Sequence, residues 1–177
     1  MSAEWVTAIA TAGTFVVIAA SAIAALLQLR HMRGGNQIVA LTECRETMES
    51  REFQEARQFV RTKLPDLLRD PAIVQAIATG PMPLELYSAN YIGNFFESMG
   101  GFVRFGIIDK TIACDLWCGV VYGSWLSLVP MTRVIRKRDP GLWENFEYLA
   151  VLSKRFMERQ PTSYPARMER LPLDEPA

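Results

Sequence analysis

WVTAIATAGTFVVIAASAIAALLQL, residues 5–29, contains no charged side chain, and Arg30, His31 and Arg33 follow it at once. A helix of this length, rising about 1.5 Å per residue, reaches roughly 37 Å and can cross a hydrocarbon core of about 30 Å with some tilt. Its strongly apolar side chains favour insertion by about 3 to 6 kcal/mol before the cost of its polar residues is subtracted. We therefore predict a transmembrane anchor over residues 1–33, with the membrane as a partner through residues 5–29.

A cleaved secretory signal is the alternative interpretation of this segment. Such signals begin with a basic stretch and have an apolar run of about 7 to 15 residues before a small-residue cleavage site. Here Glu4 makes the start acidic and the apolar run is longer, although Ala20 and Ala22 resemble a cleavage site. An uncleaved anchor is therefore favoured. The positive-inside rule then places the N-terminus outside and the chain from Arg30 onward in the cytoplasm.

The composition leaves room for the anchor and one further domain of ordinary size. The chain has 177 residues, with 19 basic and 19 acidic side chains and a formal net charge of +0. Because there is no overall positive charge, nucleic acid is not expected as a partner. Three cysteines in a domain expected on the reducing side of the membrane do not suggest a disulfide framework.

Behind the anchor, the chain has helical periodicity and no strand pattern of useful length. Gly34-Gly35 is expected to interrupt the helix, and Asn36 is suited to cap a new helix over residues 37–63. Asp70-Pro71 then predicts a short helix that ends at Ile77, because Pro fits the first turn of a helix and Asp fits its cap.

Three longer helices follow. The first, Leu84 to Phe105, carries a stripe of large side chains at helical spacing: Tyr87, Tyr91, Phe95, Met99, Phe102 and Phe105. Asp109 is expected to cap the second, Lys110 to about Arg136, which is apolar nearly all round, as expected at the centre of a bundle. The third is predicted from Leu142 to about Arg159.

The predicted fold class is therefore all-α, with one N-terminal transmembrane helix followed by a cytoplasmic helical bundle over residues 34–160. Prolines 161, 165, 172 and 176 predict a disordered Pro-rich tail over residues 161–177.

Residues 116–130 are apolar enough to raise the alternative of a second membrane crossing. Their strongly apolar side chains contribute only about 2 to 4 kcal/mol to insertion, and including Asp115 costs up to about 3 kcal/mol. Without Asp115 the stretch is too short to span a bilayer. A buried core helix is therefore favoured for this segment.

A stripe of polar side chains on the predicted helix from Leu84 to Phe105 is the best candidate for a site. Glu97 shares this stripe with Asn94 and Arg104, and Asn145 or Glu147 of the last helix is expected to approach it. A buried carboxylate needs a partner, and Arg104 is the nearby candidate. Two interpretations stay open, because such a polar seam can be a structural hydrogen-bond network or a catalytic or small-molecule site.

The chain has one basic cluster, formed by Arg133, Arg136, Lys137 and Arg138. At the end of a helix these cations complement the negative pole of the helix dipole, which is the favoured interpretation. Facing a membrane, each would instead gain about 1 kcal/mol from anionic lipid.

Few residues are suited to nucleophilic catalysis or metal binding. The chain has a single histidine, His31, beside the membrane, so a catalytic pair of histidine with serine or cysteine is not expected within the chain. Cys114 and Cys118 lie one helical turn apart, but Cys44 does not complete a zinc site, and cysteine packs well as a small apolar residue. We expect no metal and no cofactor.

Three stretches resemble an uncharacterised bacterial family, domain of unknown function 4760. These are Asn94-Phe95-Phe96-Glu97, Gly106-Ile107-Ile108-Asp109 and the segment DPGLWENFEYL at residues 139–149. The resemblance covers roughly Gln37 to Phe156. It implies one helix in the inner membrane of a bacterial cell, followed by an all-helical domain in the cytoplasm. It implies no particular activity.

The function we expect is a single-pass membrane protein whose helical bundle binds another protein or itself, as an interaction or scaffold module without catalysis. One alternative is a membrane-associated enzyme that uses Glu97, Asn145 and Glu147. Another is a membrane effector that oligomerises through small residues of the anchor, Ala8, Ala12 and Ala20.

Overall fold

The structure, a computed structural model, describes residues 3–165 and 167–171, and at helical residues 8, 9, 29–34 and 36 it describes the backbone alone. The expectations for Ala8 and for the flanking cations Arg30, His31 and Arg33 therefore concern side chains outside the description. The chain divides into two compact units, Met1–Arg45 and Glu46–Ala177.

The first unit consists of most of helix α1, which runs Ala3–Glu49. Its Ala3–Gln28 stretch reaches a mean hydropathy of 2.1, and none of that window is buried. The large apolar side chains described there are all exposed, from Leu27 at 51% to Phe15 at 72%. This segment is long and apolar enough to span a membrane, and a signal sequence near an N-terminus has the same properties.

The predicted break at Gly34-Gly35 is wrong, because α1 continues through both glycines and places Asn36 inside the helix. Each glycine costs a helix about 1 kcal/mol relative to alanine. Cooperative propagation from the helical residues on either side offsets that cost. The interruption lies instead at Ser50, whose hydroxyl accepts a hydrogen bond of 3.2 Å from the Phe53 amide and caps the next helix.

The second unit holds the remaining helices: α2 Arg51–Thr62, α3 Leu64–Leu67, α4 Pro71–Thr79, α5 Tyr87–Arg104, α6 Lys110–Ile135 and α7 Glu144–Arg159, with a 3-10 turn at Leu84–Leu86. None of the described residues lies in a strand, which confirms the all-α fold class. Asp70 caps α4 as predicted, since its carboxylate accepts from the Ala72 amide at 2.8 Å.

Helices α5, α6 and α7 pack against one another, and α2 packs against α5 and α6. Aromatic rings from these four helices form the centre of the core. The Phe96 and Phe146 rings stack at 4.9 Å, and Phe53 and Trp125 each meet one of them edge-on, at 5.9 Å and 5.1 Å. The core therefore joins every long helix of the second unit.

The stripe of large side chains on α5 packs only in part, through Met99 and through the half-buried Tyr91 and Phe95 rings that contact Phe53. Tyr87 and Phe105 are exposed at 67% and 77%, and of the predicted stripe only Met99 is buried. The buried face of α5 contains Gly93 and Gly100. Residues near the start of α7 lie so close to these two glycines that a side chain would not fit there. Sequence periodicity alone does not distinguish this glycine-bearing face from the aromatic one.

Helix α6 has the predicted bounds, but it is not buried all round. Ile112, Leu116 and Leu126 are exposed, and its most apolar window has a mean hydropathy of 1.5 with 28% buried. By length and composition it also passes the test for a membrane span. The expectation of a fully enclosed central helix is therefore wrong, because only the side facing α5, α4, α2 and α7 is covered.

The described part of the tail, residues 161–165 and 167–171, contains neither helix nor strand. The Tyr164 hydroxyl donates to the Glu169 carbonyl, and the Arg170 guanidinium lies 4.9 Å from the centre of the Tyr164 ring. Expectations for residues 166 and 172–177 concern residues outside the description.

The Asp109 cap generates a pH-dependent prediction. Hydrogen bonds from the Ile112 and Thr111 amides hold the pKa of the Asp109 carboxyl below its ordinary value. The cap therefore contributes fully above the unfolded pKa of about 3.9 and is lost as pH falls through the lower folded pKa. Asp109→Ala should reduce the free energy of unfolding by about 1 kcal/mol at pH 7.

Urea denaturation at several pH values measures this effect. The gap between wild type and Asp109→Ala should shrink below about pH 4. Asp109→Asn is the matched control, since its amide oxygen accepts the same hydrogen bonds without titrating. A gap that stays constant down to pH 2.5 would contradict the capping account.

Candidate functional site: the polar seam between α5 and α7

The Glu97 carboxylate, on the middle of α5, sits at the start of α7. One of its oxygens accepts from the Asn145 side-chain amide at 2.8 Å, and the other accepts from the Phe146 backbone N–H at 2.9 Å. The first amides of a helix have no acceptor within the helix. Glu97 therefore caps α7 from a different helix, and its negative charge suits the positive end of the α7 dipole.

Trp143 explains why α7 needs such a cap. It precedes Glu144 with left-handed backbone angles, φ 54° and ψ 41°, and its side chain provides no capping oxygen. The helix therefore begins at Glu144, two residues later than predicted. The buried indole donates from Nε1 to the Asn94 side-chain oxygen at 3.0 Å, which secures this unusual backbone conformation.

Two glycines of α5 make room for this contact. A Cβ on Gly93 would lie 2.1 Å from the Trp143 ring, and a Cβ on Gly100 would lie 2.1 Å from the Asn145 carbonyl oxygen. The backbone of α5 thus touches the start of α7 directly. In the sequence Gly93 and Gly100 adjoin the polar stripe, as the close approach of another helix requires, whereas Trp143 was not predicted to lie in the site.

Arg104 and Arg136 bind the same region from two sides. The Arg104 guanidinium donates to the Asn145 side-chain oxygen at 3.1 Å, so it binds the partner of Glu97 rather than Glu97 itself. Arg136 forms an ion pair with Glu147 and donates to the Leu142 carbonyl at 2.9 Å. Arg136 also donates to the Trp143 carbonyl at 3.3 Å.

The structure divides the predicted basic cluster. Arg136 points into the loop before α7, with its guanidinium 5.6 Å from the centre of the Trp125 ring. Arg133, Lys137 and Arg138 are exposed. The favoured interpretation, that the cluster complements the end of the α6 dipole, and the alternative of contact with anionic lipid both stay predictions.

The seam residues are engaged with one another and with the backbone. Glu97, Asn145, Arg104, Asn94 and Glu147 all have partners that hold the loop and first turn of α7. These bonds fix the position of α7 against α5. Within the described chain, no buried side-chain polar atom lacks a hydrogen-bond partner.

The cysteines and potential metal ligands lie outside the seam. Burial raises the pKa of the Cys44 thiol to about 11 and also raises that of Cys114, which disfavours the reactive thiolate form. Cys118 is half-buried, and all three thiols are free. Among the described residues, no group of three or more His, Cys, Asp or Glu side chains is arranged to hold a metal ion.

The model of one protein family, Domain of unknown function (DUF4760), matches residues 15–153. Since this range covers most of the chain, the chain belongs to that family. The matched range includes both helices of the seam. No curated protein and no solved structure matches the chain.

The two neighbouring glycines of α5 provide a matched test of the seam. Gly100→Ala should lower the free energy of unfolding by about 2 kcal/mol or more, because its Cβ would collide with the Asn145 backbone. Gly101→Ala should instead raise it by up to about 1 kcal/mol, because the nearest atom is 4.0 Å away and alanine favours the helix. Chemical denaturation of both variants measures the difference. Equal effects of the two substitutions would show that α5 and α7 are not in this contact.

Proposed function

We propose that this member of the DUF4760 family is a non-catalytic, single-pass membrane-anchored module that associates with a second copy of itself through α6. The observation that carries the proposal is an unpartnered apolar surface on α6. We call the exposed side of α6 around Ile112, Leu116 and Leu126 the outer face.

The first helix supports the anchoring part of the proposal. Its uncharged stretch is followed by Arg30, His31 and Arg33. The apolar side chains described there are exposed rather than packed against the rest of the protein. In the proposed arrangement this helix stays in the inner membrane of a bacterial cell. Following the positive-inside rule, the N-terminus is outside and the second unit is cytoplasmic.

The seam supports a structural rather than a catalytic role. If the protein were instead a membrane-associated enzyme, it would use Glu97, Asn145 and Glu147. The hydrogen bonds and ion pair of these three residues hold the start of α7. A general base needs to reach a proton on a substrate. Freeing Glu97 for that purpose would leave the Phe146 amide and the Asn145 amide without their acceptor.

The outer face supports an interaction. Ile112, Leu116 and Leu126 are exposed at 41%, 56% and 53% on one side of the helix. A contiguous exposed apolar surface on a folded domain commonly marks a contact with another molecule.

Charge complementarity favours a second copy as the partner. Asp115 and Arg133 are exposed near opposite ends of α6, and they lie a whole number of turns apart on the same edge of the outer face. Antiparallel pairing about a two-fold axis near Ser124 would set Asp115 of each copy beside Arg133 of the other. Neither side chain forms an ion pair within the described chain. Anchoring in a shared membrane raises the effective concentration of the copies.

A charge swap tests this proposal on the full chain. The wild-type protein should stay in the membrane pellet after alkaline extraction, and it should form dimers in lipid nanodiscs or in cross-linking of native membranes. Asp115→Arg should weaken self-association about tenfold by placing like charges together, and adding Arg133→Asp should restore it.

Glu85→Arg is the matched control, because it reverses an exposed acidic residue away from α6. It should leave self-association unchanged. A chain that alkali releases from the membrane would contradict the proposal. A chain that remains monomeric at every protein-to-lipid ratio would contradict it as well. An effect of Asp115→Arg that Arg133→Asp does not reverse would contradict the antiparallel arrangement.

A further inference from the structure

A cleft of about 300 Å³ lies where α2 meets α6 in the second unit. Arg57 and Arg61 line it from α2, one helical turn apart, and Gly119, Gly123 and Ser124 line it from α6. None of these residues belongs to the polar seam.

The two arginines of the cleft lack carboxylate partners. In the described chain, neither Arg57 nor Arg61 takes part in an ion pair. Other arginines of this unit do have such partners, since Arg51 binds Glu55 at 2.6 Å and Arg69 binds Asp66 at 2.8 Å. The cleft therefore has two positive charges that its own walls do not neutralise.

Ser124 adds a polar group that the fold does not use. It is only 4% exposed, it lines the cleft, and its hydroxyl makes no hydrogen bond to any described residue. Neighbouring hydroxyls on α6 behave differently, because Ser127 and Thr132 each donate to a carbonyl of their own helix. Because no buried side-chain polar atom of the described chain lacks a partner, this unpartnered hydroxyl opens onto the cleft, where a polar ligand can reach it.

The glycines keep the cleft open. A Cβ on Gly119 or Gly123 would have nothing within 4 Å, whereas Gly93 and Gly100 of α5 are required by close packing. Glycine in the middle of a helix is destabilising relative to alanine. Packing within the second unit gives no reason for this loss at Gly119 and Gly123, but access to the cleft does.

We propose that this cleft binds a phosphate group, with Arg57 and Arg61 holding its oxygens and Ser124 donating a hydrogen bond. Inorganic phosphate or a phosphate monoester carries close to two negative charges and the phosphodiester of a lipid headgroup carries one, and their acceptor oxygens match two guanidinium forks and one hydroxyl. A single carboxylate would satisfy only one fork. The phosphate source is either the headgroup of an anionic phospholipid or a soluble phosphate compound.

This inference goes beyond self-association and does not rest on it. Val120 and Ser124 put the cleft on the edge of α6 that faces α2. Asp115 and Arg133 lie on the side of α6 opposite Val120 and Ser124, as follows from 100° of rotation per helical residue, whereas Gly119 and Gly123 lie between, on the outer face. Substitutions of Arg57, Arg61 and Ser124 can therefore be measured separately from the charge swap.

Titration of inorganic phosphate into the full chain in zwitterionic nanodiscs tests the proposal by calorimetry. The wild-type chain should bind one phosphate. The double variant Arg57→Gln/Arg61→Gln should bind about tenfold more weakly or worse, and Ser124→Ala should bind a few fold more weakly. Gly123→Leu should fill the cleft and abolish binding while the melting temperature stays equal or rises.

Arg155→Gln/Arg159→Gln is the charge-matched control, because it removes two exposed cations from the end of α7. It should bind phosphate as the wild type does. Absence of phosphate binding by the wild-type chain would overturn the proposal. Equal weakening by the control pair, or full binding by a folded Gly123→Leu variant, would overturn it as well.

Nanodiscs that contain a photoreactive phosphatidylglycerol distinguish the two sources. A cross-link to α2 in the wild type that is lost in Arg57→Gln/Arg61→Gln would identify a lipid headgroup. Phosphate binding without such a cross-link would identify a soluble phosphate compound. Sedimentation of the same samples reports self-association independently, so the failure of one proposal leaves the other measurable.

Discussion

The second unit depends on a single carboxylate that caps a helix from outside it. Glu97 accepts both the Phe146 amide and the Asn145 side chain, and Trp143, at the point where a capping side chain would normally stand, offers no oxygen. A buried amide left without an acceptor costs about 1 to 3 kcal/mol. That is a large share of the roughly 5 to 15 kcal/mol by which domains are stable. The contact also requires Gly100, because any larger residue would push α5 away from α7.

This constraint organises the rest of the unit around it. Where α5 and α7 are joined at Glu97, the Phe96 and Phe146 rings stack at 4.9 Å, and α6 packs against both helices with one of its sides. The opposite side of α6 is then left bare, with Leu116 and Leu126 exposed. The polar residues of the seam bond to one another and to the start of α7. The surfaces that we propose for contact with other molecules lie on α6, at the outer face and at the cleft beside α2.

Local signals in the sequence predicted local structure well. Asp70-Pro71 and Asp109 mark real helix starts because a capping side chain bonds to amides two or three residues away. The sequence also placed Glu97 and Asn145 in one seam, and the structure brings those two side chains together. Features that depend on distant partners were missed. The continuity of α1 through Gly34-Gly35, the packing face of α5 and the left-handed Trp143 are decided by helix cooperativity and by close backbone approach, which periodicity does not encode.

Hydrogen exchange at the Phe146 amide tests this account most directly. Amides in the first turn of a helix normally exchange quickly, because they have no acceptor within the helix. If Glu97 holds this amide as part of the folded unit, it should exchange only on global unfolding, at a rate close to that of the slowest core amides. Fast exchange of the Phe146 amide in a stably folded chain, comparable to that of a frayed helix end, would contradict the account.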